Sequence, residues 1–173
     1  MRKTTVGVLA ALGALAAAWP LSGRADDSDA VARGKYLVTI MDCIGCHTDG
    51  YLVGKPDPDR YLAGSSIGFG GPDGIVYPSN LTSHRENGIG AWSDEEIIAA
   101  IRAGQRPDGR TLAPVMPWPN YASLTDGDAR AIVAYLRTVP ANDYRPPRPV
   151  AAGQKAPSPY MVVRPADGTD ETS

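Results

Sequence analysis

Cys43-Ile44-Gly45-Cys46-His47 is the stretch on which the reading of this chain turns. It holds the only two cysteines among 173 residues, and one further histidine, His84, exists. An isolated pair of thiols in an oxidising compartment can close a disulfide. A pair at this spacing can also be a redox dithiol or half of a zinc site. A structural zinc site takes four protein ligands, and the chain has no third or fourth cysteine to complete one. A thioredoxin-like dithiol needs a strand-to-helix setting, and no strand pattern precedes Cys43. Neither alternative calls for a histidine directly after the second thiol.

One chemistry does. Two thiols three residues apart on a turn reach the two vinyl groups of one haem, and the histidine next in line falls beneath the iron. The pattern predicts one haem c held covalently on Cys43 and Cys46, with His47 as an iron ligand. Candidates for the sixth iron position are few. Met1 lies in the leader described below, Met41 sits just before the motif, and Met161 lies near the C-terminus. Met116 sits in Ala113-Pro114-Val115-Met116-Pro117, where flanking prolines stiffen the backbone and hold the sulfur at low entropic cost. Elimination favours Met116 over core filling, the ordinary use of methionine. His84 lies in a polar turn, His84-Arg85-Glu86-Asn87-Gly88, and reads better as a surface residue. A thioether opposite an imidazole raises the iron potential. It also leaves no vacancy for oxygen or peroxide, so electron transfer is expected and not substrate activation.

The chain opens Met1-Arg2-Lys3, continues in an apolar, alanine-rich run from Val6 to Trp19, and reaches Gly23-Arg24-Ala25. A short positive start, an apolar core and small residues at the end form an export-signal pattern. Residues 1–25 are expected to be a cleaved signal peptide, the run being short of the roughly 20 residues a spanning helix needs. Cleavage would leave 14 basic against 19 acidic residues, a net charge of −5. That acidity argues against nucleic-acid binding, which needs basic surface. No stable membrane span is expected after cleavage, and the periplasm is the expected location.

Outward from the motif, residues 26–140 are read as one domain. An acidic start (Asp26, Asp27, Asp29) followed by Val31, Leu37, Val38 and Ile40 predicts a helix over about 29–43. Gly34 within it makes sense where another backbone packs close. Residues 49–91 carry nine glycines and four prolines and read as ordered loop, of a length that suits wrapping a cofactor. Ser93-Asp94-Glu95-Glu96 is a capping box, and Gly104 a stop, for a helix over 94–103. Ile132, Val133, Leu136 and Val139 space a last helix over 126–138, ended by Pro140. Residues 141–173 are proline-rich and poor in large apolar residues, so a flexible tail is expected. No strong strand signal stands out, and the fold class is mainly α. Trp92, between Ala91 and the capping Ser93, serves either as core or as a hydrogen-bond donor to a haem carboxylate. Trp118 and Tyr121 pack the distal pocket or form a docking surface, and the sequence does not separate these.

Taken in order, these features resemble class I c-type cytochromes, and more narrowly the haem modules of periplasmic alcohol, aldehyde and gluconate-type dehydrogenase cytochrome subunits. The residues that carry the resemblance begin with Arg33-Gly34-Lys35-Tyr36-Leu37 before the Cys43–His47 motif and Thr48. Asn80-Leu81-Thr82, Gly88-Ile89-Gly90-Ala91-Trp92-Ser93-Asp94-Glu95-Glu96, Arg106–Arg110, Pro114–Pro117 and Ala134–Arg137 complete the set. The resemblance implies three to four helices around one covalently bound haem, with first and last helices crossing near Gly34 and Tyr135. It implies Met116 as axial ligand, and Asn80, Leu81 and Trp92 lining the haem or its propionate side. Many such subunits carry three modules and a membrane anchor, whereas one module and no anchor are expected here. The expected function is a single-haem electron carrier, with a periplasmic dehydrogenase as donor and a cytochrome or terminal oxidase as acceptor, and with no catalytic residues of its own. The alternatives are a non-catalytic subunit of a dehydrogenase complex, or a haem enzyme of the peroxidase or thiosulfate-oxidising type. Those enzymes use a second haem or a spare thiol.

Overall fold

The computed structural model describes residues 23–164, with side chains from Asp27 onward. Three longer helices frame it. Helix α1 spans Gly23–Ile40, the one-turn α2 spans Cys43–His47, and α3 spans Asp94–Ala103. The short α4 covers Trp118–Tyr121, and α5 runs Asp126–Thr138. The expected leader over 1–25 falls mostly outside the described residues. No described helix is long and apolar enough to cross a membrane.

The expected helix over 29–43 is two elements. Its regular part stops at Ile40, and Asp42 adopts a left-handed conformation (φ 54°) that restarts the chain as α2. A carboxylate residue tolerates this region better than most. The break turns the cysteines out of line with α1.

Helices α1 and α5 cross where glycine allows it. A Cβ on Gly34 would lie 1.9 Å from the Ala131 carbonyl oxygen and 2.8 Å from the Tyr135 Cβ. Leu37 and Val38 of α1 pack with Ile132, Val133 and Leu136 of α5, and with Leu62, Ile89 and Ile97, in one buried cluster. Each fully buried aliphatic side chain of this kind contributes roughly 1.5–3 kcal/mol. Exposed pairs at the crossing, such as Arg33 to Asp128 at 2.8 Å, add little, because water screens them.

Helix α3 matches its sequence signals. The Ser93 hydroxyl accepts from the Glu96 N–H at 3.1 Å, and the Glu96 carboxylate accepts from the Ser93 N–H at 2.7 Å. Gly104 ends the helix at φ 66°. Replacing Ser93 by alanine orphans the Glu96 N–H. Urea denaturation should show the chain less stable by about 1 kcal/mol.

A small sheet is the feature the sequence reading lacked. Strand β1 (Gly68–Gly71) and β2 (Gly74–Val76) form an antiparallel hairpin around Pro72-Asp73. Strand β3 (Val150–Ala151) pairs antiparallel with β2, and β4 (Tyr160–Met161) parallel with β1, giving the order β3-β2-β1-β4. Through 164, then, the chain after Pro140 is not a flexible tail. Its apolar content is low because backbone pairing and side-chain hydrogen bonds fasten it. The Tyr77 hydroxyl donates to the Ser158 carbonyl at 2.8 Å, and the Ser158 hydroxyl to that of Ser66 at 2.7 Å.

Candidate haem-binding site

The one-turn helix α2 sets Cys43 and Cys46 on one face, three positions apart, with His47 directly following. Both thiols are free, and burial pushes the Cys43 thiol up to about 11 and raises that of Cys46.

His47 is buried, and its Nδ1 lies 2.7 Å from the Ser79 carbonyl oxygen. A carbonyl only accepts, so Nδ1 carries the hydrogen and Nε2 keeps its lone pair. Burial lowers the imidazole's affinity for a second proton, partly opposed by the Ser79 bond. A neutral ring of fixed tautomer is what iron ligation requires.

The loop beyond α2 is tied back onto it. The Thr48 hydroxyl accepts from the Leu62 N–H at 3.1 Å, and the His47 carbonyl from the Gly64 N–H at 2.8 Å. The Asp49 carboxylate accepts from the Ser66 N–H and hydroxyl and pairs with Arg60 at 2.7 Å.

Cys43, Cys46, His47, Asn80, Leu81, Trp92 and Met116 all line one cavity of about 520 Å³. Small-molecule sites run roughly 300–1,000 Å³. Leu81, Ile89, Ile97 and Leu136 give it apolar walls. All seven residues singled out from the sequence thus meet at one place. Met41 lines the cavity as well; Met161, with 41% of its surface exposed, and His84 do not. The His84 Nδ1 instead accepts from the Glu86 and Asn87 N–H groups, closing its own turn.

The Met116 loop is held by backbone contacts. The Leu112 N–H donates to the Gly104 carbonyl at 2.7 Å, and the Met116 N–H to that of Ala113 at 3.0 Å. Trp118 lies against Gly104 and donates its indole N–H to the Leu112 carbonyl at 3.0 Å, so it clasps the loop and stands off the cavity lining. Tyr121 does line the cavity, and its hydroxyl donates to the Met41 carbonyl at 2.9 Å. Burial pushes that phenol up to about 12, so it stays a neutral donor.

Asn80 borders the cavity, but its amide is spent elsewhere. Nδ2 donates to the carbonyls of Asn142 and Tyr144, and Oδ1 accepts from the Thr82 N–H and hydroxyl. Trp92 lies under the Arg106 guanidinium at 5.0 Å, a contact worth about 0.5–1 kcal/mol where exposed. Arg137 fixes the same segment, donating to the Trp92 carbonyl at 2.6 Å and to Asp94 at 2.7 Å.

Sequence reasoning missed Ser79, Arg106, Arg110 and the segment Pro146–Pro149 on this wall. Nothing in a sequence flags a backbone carbonyl such as that of Ser79. The two arginines stood in plain view within Arg106–Arg110, among the residues that carry the resemblance, with no role attached to them. Asp108 clasps both, at 3.4 Å to Arg106 and 2.7 Å to Arg110. The Arg110 hydrogen bond chiefly holds the Asp108 carboxyl at about 2, against about 3.9 for an ordinary aspartate. Its stabilisation is fully present above the ordinary value and fades as pH falls through about 2. An NMR titration should place the Asp108 midpoint there and not near 4.

The cavity and its donors fit a thioether-bound haem with a neutral imidazole on the iron. The family model for cytochrome c matches residues 31–140. The chain is 37% identical, over 86% of its length and 28% of the relative's, to the cytochrome c subunit of alcohol dehydrogenase (quinone) from Gluconobacter oxydans (strain 621H). It is 37% identical to the fructose dehydrogenase cytochrome subunit of Gluconobacter japonicus, over 62% of this chain and 21% of that one. It is 36% identical to the gluconate 2-dehydrogenase cytochrome c subunit of Pantoea cypripedii, over 72% and 26%. The chain spans about a quarter of the length of these relatives. It belongs to the cytochrome c family, and membership implies covalently attached haem c with its iron.

Proposed function

We propose that this chain is an exported, periplasmic electron-transfer protein with a single c-type haem. It accepts electrons from a dehydrogenase and passes them to a respiratory acceptor, a cytochrome or a terminal oxidase. The observation that carries the reading is the convergence of Cys43, Cys46, His47 and Met116 on one apolar-walled cavity. Haem held there through thioethers to Cys43 and Cys46 supplies a one-electron iron couple.

The rest of the work belongs to the chain. Ser79 keeps the His47 tautomer that ligates. The Met116 loop presents a thioether, which favours the ferrous state relative to a second imidazole. Leu81, Ile89, Ile97 and Leu136 exclude water from the iron's surroundings. A single Cys-x-x-Cys-His motif supports one haem. The names of these three relatives, cytochrome subunits of dehydrogenases, support a dehydrogenase as donor.

Periplasmic protein should lack residues 1–25 by mass and give one haem per chain as the pyridine haemochrome. The donor assignment predicts that a dehydrogenase co-purifies or reduces the protein directly. Rapid binding of carbon monoxide or cyanide by the native protein, with peroxide turnover, would overturn the carrier reading in favour of a haem enzyme.

A further inference from the structure

Residues 142–149 lie beyond the family match at 31–140, yet their first part is tied to the domain by several hydrogen bonds. Asn80 donates to the carbonyls of Asn142 and Tyr144, and the Asn142 N–H donates to the Thr82 hydroxyl at 3.1 Å. The Asn142 amide donates to the Asp59 carbonyl, and the Asn87 amide to that of Asp143. The Arg60 guanidinium lies 4.2 Å from the Tyr144 ring centre. The chain then continues as Pro146-Pro147-Arg148-Pro149, and all four residues line the cavity. Three prolines fix φ and remove three N–H donors. Such a stretch makes a stiff wall with few polar groups to satisfy.

Arg148 is the exception within it. The other charged residues on the cavity lining are Asp42, Glu86, Arg106 and Arg110. Arg106 and Arg110 share the Asp108 carboxylate. Arg148 makes no ion pair among the described residues. An exposed guanidinium without an ion pair, on the lining of an apolar-walled cavity, suits a carboxylate. Haem brings two, so the inference rests on the haem reading above.

We propose that residues 142–149 are a strap that closes the haem cavity, with Arg148 as its positive contact to a haem carboxylate. Asn80 is then a positioning residue for the strap, and its borderline place on the wall has a cause.

The test uses the full-length, haem-loaded protein with Arg148→Gln and Arg148→Lys. Haem per chain is read first in the wild type. Removing a positive charge near the iron disfavours reduction, so R148Q should lower the midpoint potential. It should also speed amide exchange over residues 142–151 while α5 stays protected, and R148K should restore both. Loss of haem from R148Q, with retention in R148K, would equally support the charge contact. Wild-type potential and exchange in R148Q, or no rescue by lysine, overturns the strap and leaves the haem reading standing. A wild type without haem overturns both.

Discussion

Met116→Ala should keep its haem and lose its potential. The expected drop is on the order of 0.1 V or more, a fraction of the roughly 0.8 V that axial ligation spans across haem proteins. The physical reason is the loss of a thioether that favours ferrous iron. The loop itself should persist, because backbone bonds from Leu112 to Gly104 and from Met116 to Ala113 hold it, together with the Trp118 clasp. The proposed haem attachment through Cys43 and Cys46 does not involve Met116. The sulfur-to-iron charge-transfer band should therefore disappear from an otherwise folded protein, and added imidazole or carbon monoxide should bind. Met41 is the discriminating control, because it also lines the cavity. Met41→Ala should leave band and potential near their wild-type values. An intact band in the Met116 variant and a lost band in the Met41 variant would reverse the assignment.

Gly34→Ala should be among the most damaging single-methyl changes in the chain. Inside a helix this substitution ordinarily gains roughly 0.5–1 kcal/mol. Here the new Cβ would stand 1.9 Å from the Ala131 oxygen and 2.6 Å from its carbon. Those atoms are backbone, with no rotamer to swing aside, so α1 and α5 must move apart. Separation loosens Leu37 and Val38 from Ile132 and Val133, the centre of the core. Overpacking costs typically 1–3 kcal/mol, occasionally more, and this site belongs at about 3 kcal/mol. Chemical denaturation of the haem-loaded protein would read it as a lowered midpoint. A midpoint unchanged or raised would mean that the helices cross elsewhere.

The sequence carried the site further than it carried the fold. That Cys43, Cys46 and His47 would stand together on one cavity wall was legible because the three lie within a single turn of chain. Helix α3 was legible end to end because Ser93, Glu96 and Gly104 are local signals that act within one turn. The crossing at Gly34 was legible as a glycine with no local reason to be there. The sheet was not. Its strands run two to four residues, too short for alternation to register, and β1 is Gly-Phe-Gly-Gly. Pro72-Asp73-Gly74 did mark a turn, and the buried Ile75 and Tyr77 after it were an alternation that the surrounding glycines obscured. The break at Asp42 was hidden for another reason. An aspartate tolerates the left-handed region better than most residues, but that preference is too weak to mark a break in a sequence. The segment after Pro140 was misread because low hydrophobicity was taken as lack of order. Its fastening comes from buried amides and carbonyls, which composition does not count.

The Asn80 amide, with every hydrogen-bonding position occupied, joins residue 80 to residues 142 and 144. Asn80 is almost fully buried, so releasing residues 142–144 would leave both hydrogens of one buried amide without partners at once. That stretch should therefore open as a unit and not residue by residue.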